Sequence, residues 1–141
     1  MSSTPVAASG PQVPTQDERS MAMLAHVLQI VAGFIAAIII FFIRRESRFV
    51  RFHALQVLLL QGVYLVLGVG SFIFWLVLII GAAASDHGDL AALLTPVFSV
   101  FWMGMWVLVV VLAITHGIKA NRGEWAAYPV LGALARRLLK T

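Results

Sequence analysis

Residues 54–85, ALQVLLLQGVYLVLGVGSFIFWLVLIIGAAAS, contain no charged side chain. Residues 20–43 and 90–118 are two further windows without charge. A helix that crosses a hydrocarbon core of about 30 Å needs roughly 20 apolar residues, and each window is at least that long. The sequence therefore predicts an all-α integral membrane protein with three transmembrane helices. The spans are placed at about residues 21–43, 55–84 and 96–118.

The composition of the whole chain favours the same class of protein. Of the 141 residues, 61% are hydrophobic and 11% are charged, and the mean hydropathy is +0.96. A soluble domain has a far more polar balance. The chain contains no cysteine, which excludes disulfide bonds and thiolate chemistry. The composition thus excludes a soluble enzyme and a disulfide-stabilised scaffold.

The two ends of the chain differ from its apolar middle. Residues 1–20 are rich in Pro, Ser and Ala, and we predict a disordered leader that closes with the capping-box spacing of Thr15 and Glu18. Residues 21–129 form the predicted three-span membrane domain. Residues 130–141 are basic and amphipathic, which predicts a short interfacial helix after the third span.

The basic residues are distributed unevenly around the three windows. Nine of the ten Lys and Arg residues follow the first or the third window, and only Arg19 precedes the first. Lys and Arg accumulate on the cytoplasmic side of membrane proteins. We therefore expect a multi-pass protein of the bacterial inner membrane, with the N-terminus outside and the C-terminus in the cytoplasm.

This orientation also accounts for the formal charge of +4, so nucleic acid is not expected as a partner. The expected partner of the basic side chains is a bilayer with anionic headgroups, because such lipids attract cations close to the membrane surface. The candidate headgroup-binding residues are Arg44, Arg45, Arg48, Arg51, Arg136, Arg137 and Lys140.

Small and polar residues recur at intervals of three and four within each window. In lipid, small residues let helices approach closely and polar side chains bond across helix interfaces. We expect these faces to pack in the interior of the protein. The candidate packing residues are His26, Gln29, Gly33, Gln61, Tyr64, Gly68, Ser71, Ser99 and His116.

Histidines are the main candidates for chemistry, because ionisable groups within a membrane are often functional. A neutral imidazole bonded to a neighbouring helix explains them more simply. With three spans, His26 lies towards the outer face while His53 and His116 lie towards the inner face, so one shared metal is not expected. The sequence contains no motif of a hydrolase or phosphate-binding loop. We expect no enzyme activity, catalytic residue, metal site or cofactor.

Three local strings in this order resemble a known family. They are residues 18–26 (ERSMAMLAH), residues 49–56 (FVRFHALQ) and residues 118–129 (IKANRGEWAAYP). Together they resemble the Tic-twenty-like family of small bacterial membrane proteins, which is distantly similar to a subunit of the chloroplast inner-envelope import translocon. The positions that carry the family's motifs here are His53, Gln56, Gly123, Tyr128 and Pro129.

The resemblance implies a compact helical membrane domain without known catalytic residues, and a role near protein translocation or envelope assembly. We therefore expect a non-enzymatic subunit or accessory factor of a membrane complex, which forms a homo-oligomer or binds other membrane proteins. The alternative is an oligomeric channel or carrier for a small solute. Its polar path would be lined by His26, Gln29, Gln61 and Tyr64.

Overall fold

The computed structural model describes residues 13–85 and 87–140, and the regular secondary structure of this part of the chain is all helical, without a strand. The predicted all-α class is confirmed in that form. Most of the predicted leader, residues 1–20, lies outside the described residues. The five helices are α1 (Gln16–Ala32), α2 (Phe34–Ile43), α3 (Arg48–Ala84), α4 (Gly88–Asn121) and α5 (Leu131–Leu139).

Helix α1 begins with the predicted capping box. The side chain of Thr15 accepts a bond from the backbone N–H of Glu18 at 3.3 Å, and the carboxylate of Glu18 accepts one from the backbone N–H of Thr15 at 2.8 Å. The hydroxyl of Ser47 and the backbone of Thr15 lower the pKa of the Glu18 carboxyl, because both bonds favour its charged form. The start of α1 is thereby tied to the residue that caps α3.

The first apolar window is a hairpin of two helices. Helix α1 ends at Ala32, and Gly33 has φ +56° and ψ −134°, a conformation that L side chains rarely adopt. Asp17 at the start of α1 forms an ion pair with Arg44, directly after α2, at 2.6 Å. One continuous helix would hold these two residues about 40 Å apart. The chain therefore folds back at Gly33.

The single span predicted for residues 21–43 is accordingly wrong. Ala25 of α1 and Ile40 of α2 belong to one buried cluster, which a straight helix could not form. Length and hydropathy cannot reveal such a turn, because a hairpin of two apolar helices satisfies both as well as one span does. Gly33 is also a turn residue and not the predicted packing residue, since nothing lies within 4 Å of the position of a Cβ there.

Helices α3 and α4 are long and apolar. They contain 37 and 34 residues, and at about 1.5 Å per residue each is roughly 50 Å or longer. By length and composition, both are able to cross a membrane. Helix α3 starts before the span predicted from residue 55, and α4 continues through Pro96, where the third span was predicted to begin.

The buried side chains of α3 and α4 lie mainly at one end of this helix pair. In α3 they run from Phe49 to Val57, apart from Ala82, and in α4 from Val109 to Ala120. Helices α1, α2 and α5 pack around this end, which we call the base. The remainder, residues 58–85 and 87–108, is the outer hairpin. Large apolar side chains are exposed along both of its helices. Such a surface is suited to lipid or to another protein and not to water.

We predict that Gly33→Ala lowers the free energy of unfolding by about 1–3 kcal/mol, because alanine is strained at this backbone conformation although space for its methyl group is available. The matched control is Gly62→Ala, which also enters open space but lies inside a helix. We expect that control to be neutral or stabilising by up to about 1 kcal/mol. Denaturant titration in mild detergent measures both values, and equal effects would contradict the turn at Gly33.

Candidate functional site

Three segments of the base bring polar side chains together. Helix α1 provides His26 and Gln29, α3 provides His53 and Gln56, and the segment after α4 provides Tyr128. None of these five side chains is more than 3% exposed. We call this group the polar network. Burial of so many polar groups is costly unless each is hydrogen-bonded.

His26 lies at the centre of the polar network. Its Nδ1 is 2.9 Å from the hydroxyl of Tyr128, and its Nε2 is 3.0 Å from Nδ1 of His53. On the far side of His53, Nε2 is 3.1 Å from the backbone oxygen of Glu124. The two rings therefore connect a phenol to a backbone carbonyl in one chain of hydrogen bonds.

The carbonyl of Glu124 determines the direction of these bonds. A carbonyl only accepts, so His53 carries its proton on Nε2 and its Nδ1 accepts from Nε2 of His26. Nδ1 of His26 then has no proton, and it accepts from the hydroxyl of Tyr128. Both imidazoles are neutral in this arrangement, and each donates once and accepts once.

The chain of bonds continues beyond Tyr128. Its hydroxyl oxygen accepts from Nε2 of Gln29 at 3.5 Å, and Oε1 of Gln29 accepts from Nε2 of Gln61 at 3.3 Å. Each group of the chain thus donates to the next one. The order is Gln61, Gln29, Tyr128, His26, His53 and finally the backbone oxygen of Glu124. Burial raises the pKa of Tyr128 to about 12, because desolvation disfavours the phenolate. The hydroxyl therefore keeps its proton at neutral pH.

Gln56 fastens the segment after α4 to α3. Its Nε2 donates to the backbone oxygen of Ala126 at 3.1 Å, and its Oε1 accepts from the backbone N–H of Tyr128 at 2.7 Å. One amide therefore pairs with both a donor and an acceptor of an otherwise irregular segment. This pairing sets the position from which the Tyr128 side chain reaches His26.

Gly123 allows the chain to leave α4 towards this position. It has φ +82°, and the N–H of the next residue, Glu124, bonds the carbonyl of Lys119 at 3.0 Å. This is the Schellman ending of a helix, in which glycine takes the left-handed conformation. Gly123, named above only as a family-motif position, is therefore the residue that closes α4.

Aromatic rings enclose His53. The ring centroids of Phe49 and Phe52 lie 4.7 Å and 5.4 Å from that of His53, and Trp125 packs against both phenylalanines at 5.2 Å and 5.3 Å. The guanidinium of Arg136, on α5, lies 5.6 Å from the ring centroid of Phe52. This layer limits the access of water to His53, which strengthens its hydrogen bonds.

His116 lies beside the chain of bonds. Its ring centroid is 4.2 Å from that of Tyr128 and 6.0 Å from that of His26, and its Nδ1 is 3.1 Å from the backbone oxygen of Leu112. The expectation that His26 and His116 lie at opposite faces is therefore wrong. It assumed a straight first span, whereas the turn at Gly33 keeps His26 at the base.

The three histidines approach one another without forming a metal site. Within residues 13–85 and 87–140, no group of three or more His, Asp or Glu side chains is arranged to hold a metal ion. The facing nitrogens of His26 and His53 are only 3.0 Å apart and are bonded to each other. His26 and His53 thus bond each other, whereas His116 bonds the backbone oxygen of Leu112.

Other predicted packing residues lie along the outer hairpin. The ring centroid of Tyr64 is 5.3 Å from that of Trp102, and a Cβ on Gly68 would lie 3.6 Å from the same tryptophan. The hydroxyls of Ser71 and Ser99 bond carbonyls of their own helices at 3.1 Å and 3.0 Å. These two serines therefore form no bond from α3 to α4, although the packing of Tyr64 and Gly68 does join the helices.

The predicted headgroup-binding residues all lie at the base. Arg44 pairs with Asp17, Arg45 donates to the backbone oxygen of Phe42 at 3.1 Å, and the guanidinium of Arg51 lies 5.0 Å from the ring centroid of Phe41. The other members of this set are exposed on α3, α5 or at the end of α5. They are Arg48, Arg136, Arg137 and Lys140.

Reasoning from residue periodicity missed three members of the polar network. Gln56 and Tyr128 entered only as positions of a family motif, as did Pro129, which is exposed before α5. His53 entered as a motif position and as a histidine of the inner face, but not as a packing residue. Gln56 carried a usable signal: an amide within an apolar helix must be paired if it is buried. For Tyr128 the sequence offers no such local signal, because its hydrogen-bond partner His26 is 102 positions away.

The described residues combine two long apolar helices, each able by length and composition to cross a membrane, with a hydrogen-bonded core at one end, which suits a helical membrane protein. Residues 17–135 match the model of the MamF/MmsF family, the magnetosome magnetite crystal formation protein family. The chain belongs to this family. No curated protein and no solved structure matches the chain.

This match corrects the resemblance to the Tic-twenty-like family. The three strings that suggested it, residues 18–26, 49–56 and 118–129, all lie within the matched residues 17–135. The implied role in protein translocation or envelope assembly is therefore withdrawn.

The hydrogen-bond directions predict a defined proton position on His26 and on His53. We expect Nε2–H on both. Nitrogen-15 NMR of histidine-labelled protein in detergent distinguishes the two tautomers, and single histidine substitutions assign the signals. A protonated nitrogen at Nδ1 of His53 would contradict the proposed direction of the chain.

Proposed function

We propose that this chain is a non-enzymatic protein of the magnetosome membrane that supports magnetite crystal formation as a structural component. Membership of the MamF/MmsF family supports the setting. The polar network is the observation that supports the structural role. Its side chains use their donors and acceptors on one another and on the carbonyls of Glu124 and Ala126. Groups engaged in this way join helices and do not face a substrate.

We propose further that α3 and α4 are the two complete spans and that both ends of the chain lie in the cytoplasm. The ion pair of Asp17 with Arg44 brings the start of α1 beside the arginine-rich segment after α2. With this topology all ten Lys and Arg residues lie on one side. Three spans would leave Arg19 on the other side, so two spans agree better with the positive-inside bias.

The expected partners are anionic lipids and a second copy of the chain. The exposed cations of the base, such as Arg48 and Arg137, support the first. The length of α3 and α4 supports the second, because helices of roughly 50 Å exceed a hydrocarbon core of about 30 Å. Tilting accommodates part of this excess. Contact between the outer hairpins of two copies would cover apolar surface on the part of α3 and α4 that exceeds the hydrocarbon core.

The channel or carrier hypothesis receives no comparable support. His26 and Gln29, two of the residues expected to line its path, are buried and bonded within the polar network. Gln61 donates to Gln29, and Tyr64 packs on Trp102. These contacts favour packing over an open polar path.

The structural role is tested with Tyr128→Phe, which removes the hydroxyl between Gln29 and His26. We expect the free energy of unfolding in mild detergent to fall by about 1–3 kcal/mol, because two buried groups lose their partner. In a magnetite-forming host that lacks the native gene, we expect crystal size to follow the amount of variant protein in the membrane. Electron microscopy and immunoblotting measure these two quantities.

The matched control is Tyr64→Phe, whose ring packs in the outer hairpin. It is expected to keep both the unfolding free energy and the crystals unchanged. If Tyr128→Phe abolished crystals while its stability and its amount stayed normal, the hydroxyl would have a chemical role. That result would contradict a non-enzymatic function.

The topology is tested with single cysteines, which have no background because the chain lacks cysteine. Suitable exposed positions are Val13, Glu46, His87 and Lys140. In intact cells that carry the protein in the inner membrane with a permeable outer envelope, we expect an impermeant maleimide to label only the variant at residue 87. Labelling at residue 13 while residue 46 stays protected would support three spans and contradict two.

A further inference from the structure

The α1–α2 hairpin reaches only part of the way along α3. Near its open end, the guanidinium of Arg51 lies 5.0 Å from the ring centroid of Phe41. At its tip, Gln29 accepts a bond from Gln61, and Phe34 lines a cavity with Leu65. The distance along α3 from residue 51 to residues 61–65 is about 15–20 Å. This is about half of a hydrocarbon core of about 30 Å.

The outward faces of this hairpin are apolar up to the tip. Val31, beside the turn, is 89% exposed, and α2 exposes large aliphatic and aromatic side chains on its outer side. A tip of this kind is stable in hydrocarbon and not among headgroups. The open end of the hairpin is charged instead, because Asp17, Arg44 and the exposed Arg45 lie there. The hairpin therefore has a polar end for the membrane surface and an apolar end for the acyl chains.

The cross-section of the protein consequently differs between the two leaflets. Helices α1, α2, α3 and α4 lie side by side from the base to about the level of Leu65, whereas beyond that level the outer hairpin consists of α3 and α4 alone. A helix occupies roughly 80 Å² of membrane area if its diameter is about 10 Å. Two additional helices in one leaflet expand that leaflet relative to the other.

Helix α5 adds to the same asymmetry. Its Gly132 and Ala135 face the protein, whereas Leu134 and Leu138 are exposed together with Arg136. An amphipathic helix with exposed leucines and arginines lies in the interfacial region of a membrane and inserts its apolar side chains there. It belongs to the base, so it expands the same leaflet as the α1–α2 hairpin.

We propose that the α1–α2 hairpin inserts into the acyl chains of the cytoplasmic leaflet alone and makes the protein a wedge that stabilises membranes with a convex cytoplasmic face. The inference rests on the proposed topology of two spans with both ends in the cytoplasm. A compartment enclosed by membrane within the cytoplasm has its convex face on that side. The wedge would favour the curvature that such a compartment needs.

The experiment uses the full-length protein, fluorescently labelled and reconstituted into giant vesicles of phosphatidylethanolamine and phosphatidylglycerol, from which narrow membrane tubes are pulled. We expect about twofold or higher enrichment in the tube for molecules whose base faces outward, because insertion into one leaflet is sensitive to curvature. Molecules whose base faces inward should be depleted. Equal density of both populations in tube and vesicle would overturn the proposal.

The matched pair of variants is Val31→Asp and Val13→Asp. Both side chains are strongly exposed, at 89% and 75%, but only Val31 lies at the apolar tip. We expect Val31→Asp to lose most of the enrichment, since a carboxylate at the tip cannot enter the acyl chains, and Val13→Asp to keep it. Enrichment that persists undiminished in Val31→Asp would contradict the hairpin as its main cause.

The outcomes separate this inference from the proposed function. If the cysteine variants support two spans but the protein shows no preference for tubes, the wedge fails while the topology and the structural role stand. If residue 13 is labelled from outside, the topology fails and the wedge fails with it. If crystals are lost in Tyr128→Phe at normal stability, the non-enzymatic role fails while the wedge is unaffected.

Discussion

The fold depends on the pairing of buried polar groups at the base. His26 cannot be buried without partners, and its two nitrogens find them on α3 and on the segment after α4. These two bonds require α1 to lie beside the first turns of α3 and the end of α4. The turn at Gly33 is compatible with this requirement, because it returns the apolar α2 to the same end of the molecule. The polar network and the hairpin are thus two parts of one arrangement.

The base and the outer hairpin have different physical characters. The base is held by directional bonds between neutral groups and by packed small residues such as Ala22, Ala25 and Ala120. The outer hairpin is held by aromatic packing, in which Trp75 stacks on Phe98 and Trp102 packs on Tyr64. A base widened by two extra helices, on a narrower pair of helices, is the geometry from which the wedge follows.

Local features were predicted well from the sequence, and the long-range ones were not. The capping box of Thr15 and Glu18 and the amphipathic α5 both depend on residues within a few positions of one another. The packing role of Gly33 and the opposite placement of His26 and His116 were wrong for one reason. Both assumed that an apolar window of sufficient length is a single span. The hydropathy of a straight helix and that of a hairpin with the same residues are equal, so hydropathy cannot reveal that the chain reverses.

The sequence by itself determined that the chain is helical, that it is suited to a membrane and that its cations gather around two segments, because these properties depend on composition and on short spacings. Only the tertiary structure decided that α1 returns on α2 and that His26 meets His53 and Tyr128. The physical reason is that these contacts join residues 27 and 102 positions apart. A hydrogen-bond partner at such a distance is selected by the packing of whole helices and not by any local pattern.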